Sequence, residues 1–127
     1  MVAVARDLTV RLAADRPGEL ASVVDAVSRS GVNIEAVTEV EGLVHVLARD
    51  AGAVRAALRG AGYTIEGERE VIIMPMSDRP GELAMTLRLL ADAQVNVRFV
   101  YLATATRVVI GAEDVMKARE ALGPSAS

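Results

Sequence analysis

Acidic, amide and glycine residues able to meet a small charged molecule occur twice in this chain, at one spacing. Asp15-Arg16-Pro17-Gly18-Glu19-Leu20-Ala21 returns letter for letter as Asp78-Arg79-Pro80-Gly81-Glu82-Leu83-Ala84, 63 residues later. An asparagine follows each copy sixteen residues past its proline, Asn33 in the first and Asn96 in the second. If a helix begins at the motif, the free N–H groups around Gly18, Glu19 and Leu20 carry the positive end of its dipole and suit a carboxylate. Gly18 has no side chain, so another molecule can come close to the backbone. Asp15 sets a negative charge beside those donors. A positive backbone cradle next to a carboxylate matches the two ends of a zwitterion, that is, a free α-amino acid. Asn33 and Asn96, at the starts of later strands, can both donate and accept hydrogen bonds. The same letters also read as an ordinary helix start, with Asp15 as cap, Pro17 at the first helical position and Glu19 in the first turn. Both readings stand on the residues alone. Arg16 and Arg79 are either clamps for a ligand carboxylate or solvated loop residues. Glu19 and Glu82 read as helix-start residues, not as an acid–base pair.

Other chemistry is thinly supplied. The 127 residues contain no cysteine, which removes disulfides, thiolate metal sites and thiol catalysis together. His45, the sole histidine, falls on the outward side of a strand between Leu43 and Leu47 and reads as a sheet-face residue. One histidine without cysteine makes a poor metal set. Met74, Met76, Met85 and Met116 read as core or interface filler. No phosphate-binding loop, dinucleotide fingerprint or nucleophile elbow is present. Apolar residues make up 52% and charged residues 24%, so a packed core is within reach, built without much help from Tyr63, Phe99 and Tyr101. A formal net charge of −3 with scattered basic residues argues against a nucleic-acid or anionic-membrane footprint. The start MVAVARDLTV lacks a signal-peptide pattern and no apolar run is long enough to span a bilayer, so a cytoplasmic location is expected.

The repeat predicts one small unit built twice, over residues 1–68 and 69–127. Leu8, Val10 and Leu12 alternate with polar residues as a strand with one buried face. Leu20, Val23, Val24 and Val27 make a helical stripe that ends at Ser30-Gly31. Ile34, Ala36 and Val40 face inward on a second strand while Glu35 and Glu39 face out. Glu41-Gly42 turns a hairpin into a third strand of Val44, Val46 and Ala48. Val54, Ala57, Leu58 and Ala61 form a second helix, and Tyr63–Glu66 a short last strand. The class is therefore α+β: two tandem ferredoxin-like β-α-β-β-α-β units, each an antiparallel sheet with its helices on one face. From residue 40 the best offset becomes 64, which places one extra residue in the second hairpin. The tail LGPSAS is too short and polar to supply a last strand for the second unit, and Val2–Val4 are one candidate to fill that edge. In the second copy Ile72, Met74, Val100, Leu102 and Val109 stand where the first carries mostly polar outward residues, so a covering partner is expected there, most simply a second copy of the chain.

DRPGELASVVDAVSRSGVNIEAV and DRPGELAMTLRLLADAQVNVRFV resemble the first half of an ACT domain, the amino-acid-sensing module attached to aspartate kinase, phosphoglycerate dehydrogenase and related enzymes. The resemblance spans nearly the whole chain as two copies. It implies modules paired side by side with the ligand between them, Asp15 to Gly18 acting with Asn96 and Asp78 to Gly81 acting with Asn33. Gln94 departs from the family's glycine at that turn, which implies an altered entry to the second site. The function implied is a non-catalytic, amino-acid-binding regulator without cofactor or metal, acting as a homodimer or docked on the enzyme it regulates. The alternative is an interaction module that binds no ligand.

Overall fold

Among the described residues six strands and four helices follow one another as β1 (Ala3–Arg11), α1 (Glu19–Ser28), β2 (Ile34–Val40), β3 (Leu43–Ala48), α2 (Ala51–Gly60), β4 (Ile65–Pro75), α3 (Glu82–Asp92), β5 (Val97–Ala103), β6 (Arg107–Ala112) and α4 (Val115–Ala121), a mixed α+β chain. The structure is a computed structural model that describes residues 2–123. Arg6–Arg69 forms one compact unit, and the residues before it join those from Glu70 onward in the other. The expected break between a short last strand at Tyr63–Glu66 and a new one from Val71 is absent. A single eleven-residue strand, β4, covers both.

In the Arg6–Arg69 unit, β3 pairs antiparallel with β1 on one side and β2 on the other. The alternation of β1 turns Leu8 and Val10 to one face, where they meet Val44 and Val46 of β3, Val23 and Val27 of α1, and Val54 and Leu58 of α2, all fully buried. Each such side chain removed from water contributes about 1.5–3 kcal/mol. Asp50 starts α2 as a side-chain cap, accepting from the Ala53 N–H at 3.0 Å. Three charges brace the unit: Glu68 of β4 accepts from Arg6 of β1 at 2.7 Å and from Arg55 of α2 at 2.6 and 2.9 Å.

The second unit repeats the plan. β6 pairs antiparallel with β4 and β5, and its core joins Ile72, Val108, Ile110, Leu90 and Ala118 with Val2 and Val95. Val2, with Val4 packed at its margin, thus enters this core as the open-edge argument allowed. The final four residues of the tail, from Pro124, lie outside the described residues.

The expected outward patch is corrected. Ile72 is a fully buried core residue facing the helices, and Met74 and Val100 pack against the same cluster. Val109 is fully buried as well, which leaves Leu102, 70% exposed, as the one residue of the five open to solvent. For Ile72 and Met74 the cause is a register slip, and for Val100 the bulge described below. Leu8 and Val46 correspond to Ile72 and Ile110, an offset of 64, because the loop between β4 and the second motif is one residue shorter than its twin. Carrying the motif's offset of 63 back into β4 moved Ile72 and Met74 to the wrong face.

A second correction concerns β2. A bulge between Ile34 and Ala36, repeated between Val97 and Phe99, shifts the alternation. Ile34 packs on the helix-side core, but Ala36 lies opposite Leu47, away from Val44 and Val46, and Val40 is exposed. The twins exchange bulk at this place. Ala36 faces Leu47 in one unit, whereas Phe99 lies over Gly111 in the other, its ring in the space a Cβ there would need.

The extra hairpin residue is present. Glu41-Gly42 is a two-residue turn at φ 47° and 87°, and its twin has a three-residue loop, Thr104–Thr106. Gln94 leaves the turn intact: it takes φ 62° where Gly31 takes 84°. A left-handed residue with a Cβ costs about 1–2 kcal/mol. Gln94→Gly is therefore expected to stabilise the chain by about 1 kcal/mol in urea unfolding, and an unchanged or lower midpoint would contradict this.

The Glu68 carboxyl is held at about 2 by the Arg55 hydrogen bonds and then that of Arg6, well below its usual 4.5. A carboxylate depressed on folding stabilises fully above the usual value, and that contribution is lost as pH falls through the depressed one. Stability is expected to fall between pH 4.5 and 2 less steeply in Glu68→Gln than in the parent; equal slopes in denaturation at several pH values would refute the network's role.

Candidate functional site

Pro17 and Gly18 do not begin α1 as its first residues. They are the centre of a type II turn closed by the Glu19 N–H donating to the Arg16 carbonyl at 3.3 Å, with Gly18 at φ 92° and ψ −14°. Pro80 and Gly81 build the same turn, with Glu82 donating to Arg79 at 3.2 Å and Gly81 at φ 87°. The helix starts on the glycine, and no side chain caps it in either copy. This removes the reading of Asp15 as cap and Pro17 as first helical residue. The amides of Leu20 and Ala21, in the first turn, have no acceptor within the helix, and Gly18 stands in open space.

Asp15 instead lines a cleft of about 360 Å³ with Arg11, Leu12, Ala13, Ala14, Glu41 and Gly42. The wall is made by two chain segments meeting. The antiparallel pairing of Arg11 with Leu43 brings the end of β1 beside the β2–β3 turn, and the Leu12 N–H donates to the Gly42 carbonyl at 2.7 Å. Arg11 is neutralised by Glu66 at 2.9 Å. The cleft thus offers an exposed carboxylate and apolar small residues at the approach to α1. Its lining by Glu41 and Gly42 was not foreseen; the residues were legible only as a turn, although an antiparallel neighbour must place that turn beside the loop.

The second copy is chemically different. Ser77 stands in the loop where the first copy has alanines, and its hydroxyl donates to Glu82, while Arg79 donates to Ser77 at 3.2 Å and approaches Glu82 at 3.5 Å. The Ser77 hydrogen bond and the Arg79 charge hold the Glu82 carboxyl below its usual range. Arg16 pairs with Glu19 at 3.0 Å in the first copy. Both loop arginines are thus exposed partners of their own helix-start glutamates, and Leu20 and Leu83 sit half-exposed beside them.

Asn33 and Asn96 precede β2 and β5 and are exposed. Within one unit, β2 runs from Ile34 beside Ala48 to Val40 beside Leu43, the end at which Arg11 leads into the Asp15 loop. Asn33 is therefore about 20 Å from the loop of its own unit along the strand, and Asn96 stands likewise to Asp78. Neither unit brings its own asparagine to its own proline loop.

His45 is a sheet-face residue with a partner that sequence reading missed. Its Nδ1–H donates to both oxygens of Asp7 at 3.0 and 3.1 Å, and Thr9 Oγ1 donates to Asp7 at 3.2 Å. Asp7 is fully buried. The alternation of Leu8 and Val10 sets Thr9 on the other face of β1, and Asp7 stands beside it there.

No family model matches the chain, and no curated protein does. Solved structures do. Protein BT0572 from Bacteroides thetaiotaomicron is 20% identical over 99% of this chain and 90% of its own, with a TM-score of 0.71. The ligand-free regulatory subunit of aspartate kinase from Thermus thermophilus is 18% identical over 99% of this chain and 97% of its own, at 0.68. Aspartokinase III of E. coli, in complex with lysine and aspartate in its T-state, is 12% identical over 97% of this chain and 31% of its own, at 0.63. The likeness is one of fold: the chain shares its α+β architecture with these structures.

Because Gly18 holds a left-handed conformation, Gly18→Ala is expected to cost about 1–2 kcal/mol although its Cβ would meet nothing, and Gly18→Asn less. Urea unfolding checks this; two variants as stable as the parent would show the turn to be unconstrained.

Proposed function

We propose that the chain is a non-catalytic regulatory protein built of two ferredoxin-like, ACT-like units, and that it binds a free amino acid where the Asp15 loop meets the start of α1. The carrying observation is that Asp15 caps nothing. It lies on the wall of a cleft, next to a helix whose first amides are left without a side-chain partner. Those amides suit the ligand carboxylate and Asp15 its ammonium group. Each unit's asparagine lies at the far end of its own sheet, so an asparagine at this loop would have to come from a paired module, as the resemblance implies for Asn96 with Asp15 to Gly18 and for Asn33 with Asp78 to Gly81. The first site is the competent one, since Ser77, Arg79 and Glu82 tie up the second loop among themselves. Architecture shared with an aspartate kinase regulatory subunit, and with an aspartokinase solved holding lysine and aspartate, supports a regulatory reading. Pairing with a second chain, or with a regulated enzyme in the cytoplasm, would use exposed apolar residues such as Met85 and Leu89 of α3 and not the buried Ile72 or Val109.

A thermal-shift screen of the natural amino acids tests the site. A ligand at a hundredfold its Kd contributes about 2.7 kcal/mol, or about 10 °C for a chain of this size. At least one amino acid is expected to raise Tm, with the shift lost in Asp15→Ala, reduced in Asn96→Ala and kept in Asp78→Ala. A shift that Asp15→Ala leaves whole would refute the site, and silence from every amino acid would favour the ligand-free interaction module.

A further inference from the structure

On the pairing role proposed above for the exposed apolar residues of α3, we infer that the outward face of this helix takes a second copy of the chain, the two α3 helices lying antiparallel across a two-fold axis. Met85, Arg88, Leu89 and Asp92 stand at i, i+3, i+4 and i+7 of α3, so they share one face. The opposite side of the helix, with Thr86 and Leu90, is buried in its own unit. All four outward residues are exposed, Met85 by 62% and Leu89 by 46%, and exposed Ala84 and Ala91 flank them with little bulk. Two large apolar side chains one turn apart, bordered by small ones, make a patch and not a scattering of single residues.

The charges select what covers it. Among the described residues neither Arg88 nor Asp92 has an ion-pair partner. With the basic residue first, four residues before the acidic one, they stand in the weaker order for pairing within one helix. In two antiparallel copies with the axis beside Leu89, each Arg88 leans toward the N-terminus of its own helix and meets the partner's Asp92. Symmetry makes this contact twice. Leu89 then lies against the partner's Leu89, and Met85 covers the partner's last helical turn. The twin helix shows that the match is specific. At the motif's offset of 63, α1 carries Ser22 and the buried Ala26 in place of Met85 and Leu89, and Asp25 and Arg29 in place of Arg88 and Asp92. The order of charge is reversed. An α1 of one copy laid antiparallel on an α3 of another would set Asp25 beside Asp92 and Arg29 beside Arg88, with little apolar surface between them. The α3 face fits another α3 face, and such an isologous contact closes as a dimer. One three-turn helix from each copy is a small contact, of the class below about 1,200 Å² that serves transient pairs. A reversible dimer follows.

Sedimentation equilibrium of the full chain, from micromolar to millimolar concentration, tests this. The parent is expected to approach the mass of two chains at the upper end. Arg88→Asp alone, and Asp92→Arg alone, turn both cross-helix attractions into repulsions, and each is expected to weaken self-association about tenfold or more. Mixed in equal amounts, the two variants are expected to pair with each other as tightly as the parent pairs with itself. The doubly substituted chain, Arg88→Asp with Asp92→Arg, is expected to regain self-association. Recovery on mixing separates a charge match from misfolding, because a misfolded variant would not be repaired by the other. A parent that stays monomeric at millimolar concentration overturns the inference and leaves the face to a different protein. So does a dimer that either single variant leaves intact, or a mixture that stays apart. The thermal shift with amino acids reads the Asp15 site separately, so failure of one reading is distinct from failure of the other.

Discussion

Gly18 and Gly81 hold the backbone at φ 92° and 87°, and the proposed amino-acid site hangs on that single left-handed residue. It closes the Pro-Gly turn and simultaneously starts a helix that no side chain caps. A serine or aspartate in its place would satisfy the first amides internally. Glycine leaves them without a side-chain acceptor, and Asp15 does not cap them. The loop then combines a donor-rich helix end with an uncommitted carboxylate on the wall of a cleft. An amino-acid site needs both groups, and neither would remain available in an ordinary capped helix.

The two units use one backbone plan for different ends. Ser77 draws Glu82 and Arg79 into a closed local network where the first copy has Ala13 and Ala14. Asp7, Thr9 and His45 occupy a face that their counterparts fill with valine and isoleucine. Phe99 over Gly111 replaces Leu47 beside Ala36. In each case the backbone holds and the side chains diverge, as expected when packing tolerates exchange of volume across facing positions. Duplication of the fold therefore does not imply duplication of the site. The shared architecture with aspartate kinase regulatory domains likewise speaks to the scaffold, and function has to be argued from the loop.

Much of the fold was legible because its signals are local. The repeated motif located both turns, the helix stripes of Val23, Val27, Val54 and Leu58 reached the core, and the change of offset foretold the longer second hairpin. What failed was parity. A loop one residue shorter before Asp78, and bulges after Ile34 and Val97, each reverse which face a side chain takes, and no local residue type announces them. Ile72, Met74, Val100 and Ala36 were misplaced for that reason alone. Of the site, the motif residues were readable, but the cleft and the Asp7–His45 contact depend on neighbouring strands far apart in sequence. Their partners, Gly42 and His45, could be found only after the register was known.

The central claim is that a zwitterion sits with its carboxylate on the first amides of α1 and its ammonium group at Asp15. Backbone amide chemical shifts, followed by NMR while the stabilising amino acid is titrated into the labelled chain, address it directly. The account predicts that the largest changes fall on Gly18, Leu20 and Ala21, with Asp15 close behind and the Gly81 loop little moved. Changes concentrated elsewhere, with the amides around Gly18 still at saturation, would contradict it.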